Sequence, residues 1–270
     1  MTPTNSTEIE RQQEHARRVR QMFAGIAGRY DLLNHLLSGN IDRRWRRIVA
    51  RRLRPLLTAG VQALDVACGT GDLSLALQEA GAARITGLDF CRPMLEIAAH
   101  KTSHDDAPRI PFIEGDALNL PFADGLFDVV TIAFGLRNLA DVERGLRELH
   151  RVTKPGGTLG ILEFSHPVVP GFNALFQFYF ACVLPKIGGA ISGSRGAYEY
   201  LAKSVAPFPD QKRLADMMRA VGFEQVAYQN LTGGIAAFHT GRRLAGSAGI
   251  LARKLAAGEL TNKREHSTRE

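Results

Sequence analysis

The chain has 270 residues, 45% of them hydrophobic, enough for one domain with appendages and a sizeable core, which excludes wholesale disorder. Its formal net charge of +7 is concentrated at the ends: residues 1–54 hold 12 Arg and 5 acids, residues 241–270 hold 7 bases and 3 acids, and the stretch between holds 15 bases and 19 acids. Basic ends on a mildly acidic body argue for arms drawn to an anionic surface, membrane or nucleic acid, and against a basic binding cleft.

Cys68, Cys91 and Cys182 stand far apart, with no C-x-x-C and no His at metal-ligand spacing. Neither a disulfide framework nor a metal site is expected, and a reducing cytoplasm is the natural compartment. The chain opens on polar and charged residues without the apolar run of a secretory signal.

Taken in order, residues 8 to 58 read as helical and place an N-terminal arm or lid at 1–58. The arm ends in IDRRWRRIVARRLRP, where seven Arg between Arg43 and Arg54 leave Ile41, Trp45, Ile48, Val49 and Leu53 as an apolar stripe. Two readings stay open for it: a helix lying on anionic lipid, or a charged face in water on a helix that packs by its stripe. From residue 59 to 243, short apolar runs alternate with amphipathic stretches. Strands are expected near Gln62–Ala67, Arg84–Leu88, Pro111–Glu114, Val129–Phe134, Gly157–Glu163, Gln225–Asn230 and Ile235–His239, with helices such as Val142–Val152 and Lys212–Val221 between them. This predicts an α/β fold, a Rossmann-like, seven-stranded, doubly wound sheet with an antiparallel terminal strand, N-terminal helices and a helical insert after strand 5. The last two expected strands are separated only by Leu231-Thr232-Gly233-Gly234, as a hairpin requires.

The insert, residues 166–208, is far longer than a connection needs and is expected to cap the substrate. Within it Gly171 to Ser192 is apolar and aromatic but interrupted by Asn173, Gln177, Pro185 and Lys186, leaving runs too short to span a bilayer. A groove for a lipid tail and a core helix against the sheet both fit it. A basic tail occupies residues 244–270.

The chemistry concentrates in ALDVACGTGDLSLAL, Ala63 to Leu77. A strand runs into Gly69-Thr70-Gly71 and then a helix, so backbone amides face a ligand at the strand's C-terminal edge. The third glycine of a dinucleotide fingerprint would fall at Ser74, and the Lys-Ser/Thr of a P-loop is missing. In their place Asp65, Asp89 and Asp116 stand at three strand ends, a frame that repels phosphates and suits a ribose diol, an adenine amine and a positive centre. S-adenosylmethionine meets that description. Asp65 capping the following turn is the plainer alternative.

The motifs LDVACGTGD, GLDFCRPML, EGDALNLPFADGLFDVV and LHRVTKPGG resemble those of class I S-adenosylmethionine-dependent methyltransferases. FAGIAGRYDLLNHLLSGNIDRRWRR, AFGLRNLADVERGLRELHRVTKPGG, ILEFSHP and YEYLAKSVAPFPDQ narrow the resemblance to the ubiquinone and menaquinone biosynthesis C-methyltransferases, over about residues 20 to 243. The resemblance implies S-adenosylmethionine contacts at Asp65, Gly69, Thr70 and Gly71, with Thr70 near the methionine moiety, Asp89 on the ribose hydroxyls, and Asp116 and Ala117 at the adenine. Ala133 stands where many relatives have serine, so a backbone contact must serve there. It also implies methylation of a ring carbon of a prenylated quinol, on the menaquinone branch, the ubiquinone branch or both.

Arg137, closing VVTIAFGLRN, lies past the end of strand 4, where a transferable methyl group should face its acceptor. No Asn-Pro-Pro-Tyr type motif is present there, which favours carbon or oxygen acceptors over amines. A guanidinium is a poor base, so Arg137 is expected to stabilise a phenolate or orient a water, with Asn138 holding it. A surface salt bridge to Asp141 or Glu143 is the plainer alternative. Tyr30, Asp31, Asn34, His166 and Tyr198 are the other polar candidates for the site. Tyr30 and Asp31 are assigned to a lid over the cofactor, and His166 is equally a loop residue. The expected partners are the prenylated quinol, a membrane surface met peripherally and a second copy of the chain. Nucleic acid is disfavoured by the acidic sheet body and the lack of aromatic-interleaved basic motifs; a methyltransferase for another lipophilic aromatic acceptor and a nucleic-acid-binding protein using the basic ends remain as alternatives.

Overall fold

The computed structural model describes residues 3–81, 83–103, 109–169, 200 and 204–244. Helices α1 (Pro3–Ile26), α2 (Tyr30–Leu37) and α3 (Ile41–Leu53) precede the sheet. The chain then alternates through β1 (Gln62–Val66), α4 (Asp72–Ala80), β2 (Arg84–Asp89), α5 (Arg92–Lys101), β3 (Phe112–Glu114), β4 (Phe127–Ala133), α6 (Val142–Val152), β5 (Thr153–Phe164), α7 (Gln211–Ala220), β6 (Phe223–Leu231) and β7 (Ala236–Arg243). The seven strands form one sheet in the order β3-β2-β1-β4-β5-β7-β6. β1 to β5 pair in parallel, and β7 runs antiparallel to both of its neighbours. This is the Rossmann-like doubly wound sheet with the antiparallel strand that the sequence predicts.

Alternation along the strands sends side chains to two cores. On one face Leu64, Val66, Val130, Ile132 and Leu159 pack with Leu146 and Leu149 of α6 and Leu214 and Met218 of α7. On the other, Ala63, Val129, Leu162 and Phe238 pack with Trp45, Val49 and Leu53 of α3 and Leu73 and Leu77 of α4. Covered on both sides, β1 and β4 are mostly apolar, and their buried polar residues Asp65 and Thr131 bond each other.

Several boundaries differ from the sequence reading, three of them with a clear physical cause. The N-terminal arm is three helices, separated by a 3-10 turn at Ala27–Arg29 and by Gly39 and Asn40, both in the left-handed region. β5 starts at Thr153, because the chain pairs with Phe127 before a register shift that carries Pro155 and Gly156 past the ladder. β6 extends to Phe223 across a second irregularity between Glu224 and Ala227. The stripe of α3 is taken up by the core: Trp45, Val49 and Leu53 are buried, and the Trp45 indole donates to Thr232 Oγ1 at 2.9 Å. The helix therefore packs by its stripe and leaves its charged face in water.

Among the described residues no helix is long and apolar enough to cross a membrane. The stretch Gly171–Ser192, Tyr198, Cys182 and the tail from residue 245 lie outside the described residues.

Candidate active site

The C-terminal ends of β1, β2 and β4 converge on a pocket holding about 760 Å³ of atom-free space, its open mouth included. Ala67 and Gly69 line its β1 side, Asp89 and Phe90 its β2 side, Asp116 and Ala117 the loop after β3, and Ala133, Phe134 and Asn138 the end of β4. Ala67 and Phe134 both sit at positive φ, 51° and 56°, strained backbone gathered at the pocket wall. Gly135 is required there, since a Cβ at this position would lie 2.5 Å from that of Ala67.

Asp89 is buried and fixes the glycine loop, accepting the backbone N–H of Gly69 at 2.9 Å and of Cys91 at 2.8 Å, one on each oxygen. Burial raises its pKa against the pull of those amides. A carboxylate offers about four lone-pair sites, so acceptor positions remain on both oxygens, suited to a pair of vicinal hydroxyls. Asp116 spends one oxygen on its own turn, accepting from the Leu118 N–H at 2.8 Å. A nucleoside fits this donor and acceptor set.

The other loop residues sit behind the wall. Asp65 is buried beneath the loop, accepting from Ser74 Oγ at 2.6 Å and Thr131 Oγ1 at 2.9 Å, and burial pushes its pKa up to about 6. Gly71, at φ 81°, caps α4 and leaves the room that Ala98 fills. The Thr70 hydroxyl donates to Asp31 of α2 at 2.5 Å.

Asp31 belongs to a charged latch between the arm and the sheet. The Lys101 ammonium bonds Asp31 at 2.7 Å and Asp72 at 2.6 Å. Arg46 and His35 meet Asp42 at 2.5 and 2.9 Å. Burial would raise Asp42 and Asp72; Ser38 and Arg46 outweigh it for Asp42, Arg46 and Lys101 for Asp72, and both stay below the usual carboxylate range. Asp31, His35 and Asp72 approach within 4.8 Å of one another, a spacing a metal ion could use, yet the Lys101 ammonium already bonds both aspartates.

Above the pocket, Ala16 and Phe23 of α1 and Tyr30 of α2 form a wall. His15 Nε2 donates to the Asn138 carbonyl at 3.1 Å. Burial raises the Tyr30 phenol, with Arg46 and Asn34 pulling against it, so it stays protonated near neutrality.

Arg137, in the 3-10 turn Leu136–Asn138, does not pair with Asp141 or Glu143. Its Nη1 bonds Glu163 Oε1 at 2.7 Å and the Phe134 carbonyl at 2.6 Å, its backbone N–H reaches Glu163 Oε2 at 3.2 Å, and its guanidinium lies 5.1 Å from the Phe164 ring centre. Both ends of this ion pair are buried, and Nε has no partner among the described residues. Asn138 donates to the Phe134 carbonyl at 3.2 Å and accepts from the Tyr200 hydroxyl at 3.1 Å. Burial raises the Tyr200 phenol too, so it acts as a donor. His166 stands apart from the pocket: its Nε2 donates to the Phe208 carbonyl at 3.0 Å and its own carbonyl accepts from Gln211, a brace between β5 and α7.

Glu163, Tyr200, His15 and Lys101 are the site residues that sequence reasoning missed. Glu163 carried a signal, a lone acid closing the apolar run GTLGILEF. The other three depend on long-range packing.

Known proteins resemble this chain in sequence and fold. Residues 10–243 match the model of the ubiE/COQ5 methyltransferase family. The demethylmenaquinone methyltransferase of Deinococcus radiodurans is 48% identical over 242 residues, 89% of this chain and 99% of that protein. That of Thermus thermophilus is 51% identical over 223 residues, 82% and 100% of the two chains. The fold resembles the cyclase SpnF, with a TM-score of 0.61 at 21% identity over 84% of this chain and 96% of that one. It also resembles a methyltransferase of Thermotoga maritima, with a TM-score of 0.57 at 19% identity over 82% and 98%. The chain belongs to the ubiE/COQ5 methyltransferase family.

Proposed function

We propose that the protein is a C-methyltransferase that uses S-adenosylmethionine to methylate a ring carbon of a prenylated quinol, demethylmenaquinol or the corresponding ubiquinol precursor. Asp89, Asp116, the Ala117 backbone and the loop at Gly69 would hold the cofactor, which supplies an electrophilic methyl group when bound. The observation that carries the reading is the placement of the buried Arg137–Glu163 pair, 2.7 Å apart, directly behind the pocket wall formed by Phe134 and Asn138.

The residues of the chain supply alignment and charge. A ring carbon becomes nucleophilic as its neighbouring phenol gives its proton to a water, and positioning contributes much of the acceleration. Arg137 favours the phenolate, and Glu163 and the Phe134 carbonyl fix its orientation. Asn138 and Tyr200 offer a hydrogen-bonded line for orienting the ring hydroxyl, and Tyr30 closes the pocket against water. Thr70 and Asp65 support the loop from behind.

The test is transfer of label from S-adenosylmethionine into the organic phase, with reduced demethylmenaquinol and the reduced ubiquinol precursor offered separately. Label in either quinol, lost in Arg137→Ala while cofactor binding persists, supports the reading and names the branch. No label in either, with the cofactor bound, sinks it and favours another lipophilic acceptor.

A further inference from the structure

We infer that the outer face of α3 is a docking surface for anionic lipid, and that it brings the enzyme to the bilayer holding its substrate; the second clause rests on the function proposed above. Arg43, Arg44, Arg47, Arg51 and Arg54 are all exposed. At 3.6 residues per turn they fall within an arc of roughly 100°, opposite the buried Trp45, Val49 and Leu53. None of the five side chains makes a hydrogen bond or ion pair among the described residues. Several exposed arginines elsewhere do pair with neighbours on their own helices: Arg17 and Arg18 with Glu14, Arg92 with Glu96, Arg147 with Glu143, Arg219 with Asp216.

Like charges at i,i+4, as in Arg43–Arg47 and Arg47–Arg51, disfavour a helix. Here the buried stripe holds the helix against that repulsion, and an anionic surface would relieve it. The face is short of what nucleic acid would use, because single strands need exposed aromatic platforms and Trp45, the one tryptophan, is buried. Apolar residues open to solvent stand at the helix ends, Ile41 at its start, 37% exposed, and Leu56 just past its end, 41% exposed. A dense cationic face with no anionic partner of its own suits anionic phospholipid headgroups. The chain also passes from the pocket wall at Tyr30 to this helix through α2 alone.

The full-length protein, without cofactor or quinol, should float with vesicles of phosphatidylcholine mixed with phosphatidylglycerol at low salt, and far less with phosphatidylcholine alone or at high salt. Combining Arg43→Gln, Arg47→Gln and Arg51→Gln should lower partitioning about 100-fold, at about fivefold per residue. The matching Lys substitutions should retain it. Neither set should change methyl transfer to a quinol dispersed in detergent. Undiminished flotation of the Gln variant, equal binding to neutral vesicles, or release from anionic vesicles by a DNA oligonucleotide at equal charge would each overturn the inference. Because flotation is read without catalysis, failure of the quinol assignment and failure of lipid docking are seen separately.

Discussion

Arg137 and Glu163 meet at 2.7 Å across the ends of β4 and β5, with side chains 7% and 1% exposed. Removing one member of such a pair leaves the other charge buried and unmatched, which costs about 3–5 kcal/mol. Glu163→Ala should therefore lower unfolding free energy by about that amount in urea titration. Glu163→Gln keeps the shape and an acceptor but frees the guanidinium from its counter-charge. It should slow methyl transfer by roughly 10- to 100-fold with cofactor affinity unchanged, the size of a lost charge-assisted hydrogen bond. A Gln variant with native turnover would remove Glu163 from the site.

Asp65 gives a pH signature of opposite sign to most carboxylates. Its pKa rises on folding from 3.8 to about 6. The folded state therefore binds more protons than the unfolded state between those values, and this group's contribution to stability falls as pH rises from about 4 to about 6. The full difference is about 3 kcal/mol. Asp65→Asn, which can still accept from Ser74 or Thr131, should gain on the parent protein by that order as pH rises through the window. Urea unfolding of both proteins at several pH values measures it; a difference independent of pH would mean the carboxyl titrates normally.

Much of this site can be read in the sequence because strand ends are where an α/β sheet presents its ligands, so Asp89, Asp116 and Arg137 locate themselves once β2, β3 and β4 are recognised. What each side chain touches is less accessible. Thr70 follows Gly69 in the loop and Asp65 lies in the strand before it, yet Asp31 claims one across 39 residues of chain, and Ser74 and Thr131 claim the other across 9 and 66. His166 lies beside Pro167 at the end of β5, and only the position of Phe208 shows where its ring goes. The fate of the α3 stripe was undecided for the same reason: periodicity shows that one face is apolar, and only the sheet shows what covers it.

Asp89, proposed to hold the ribose hydroxyls, should couple cofactor affinity to pH. Asp89→Asn places an amide donor toward the hydroxyls the carboxylate would accept, and weakens the hold on the Gly69 and Cys91 amides. Each charge-assisted hydrogen bond is worth about 1.5–3 kcal/mol, so S-adenosylmethionine affinity measured by calorimetry should fall by roughly 100-fold or more. In the parent protein, burial raises this carboxyl's pKa. Affinity should therefore weaken as pH drops through that raised value, because the protonated form gives up acceptor capacity. An unchanged affinity in the Asn variant would place the ribose elsewhere.

Lys101 joins Asp31 to Asp72 while Thr70 donates to the same aspartate, so one cluster ties α2 to α4, α5 and the glycine loop. If the arm is the lid proposed for it, this cluster holds it shut. Lys101 and Asp31 are 26% and 29% exposed, and solvent screening limits their coupling to about 1 kcal/mol. Asp31→Asn and Lys101→Met, singly and together, should show that coupling in a double-mutant cycle on unfolding. Each single change should raise the S-adenosylmethionine dissociation rate about fivefold in stopped flow, since a loss of about 1 kcal/mol in the closed state is about fivefold in its population. Faster release with an unaltered fold would identify the arm as the element that retains the cofactor. Additive stability effects with native release rates would instead make the cluster a surface ion pair with no hold on the lid.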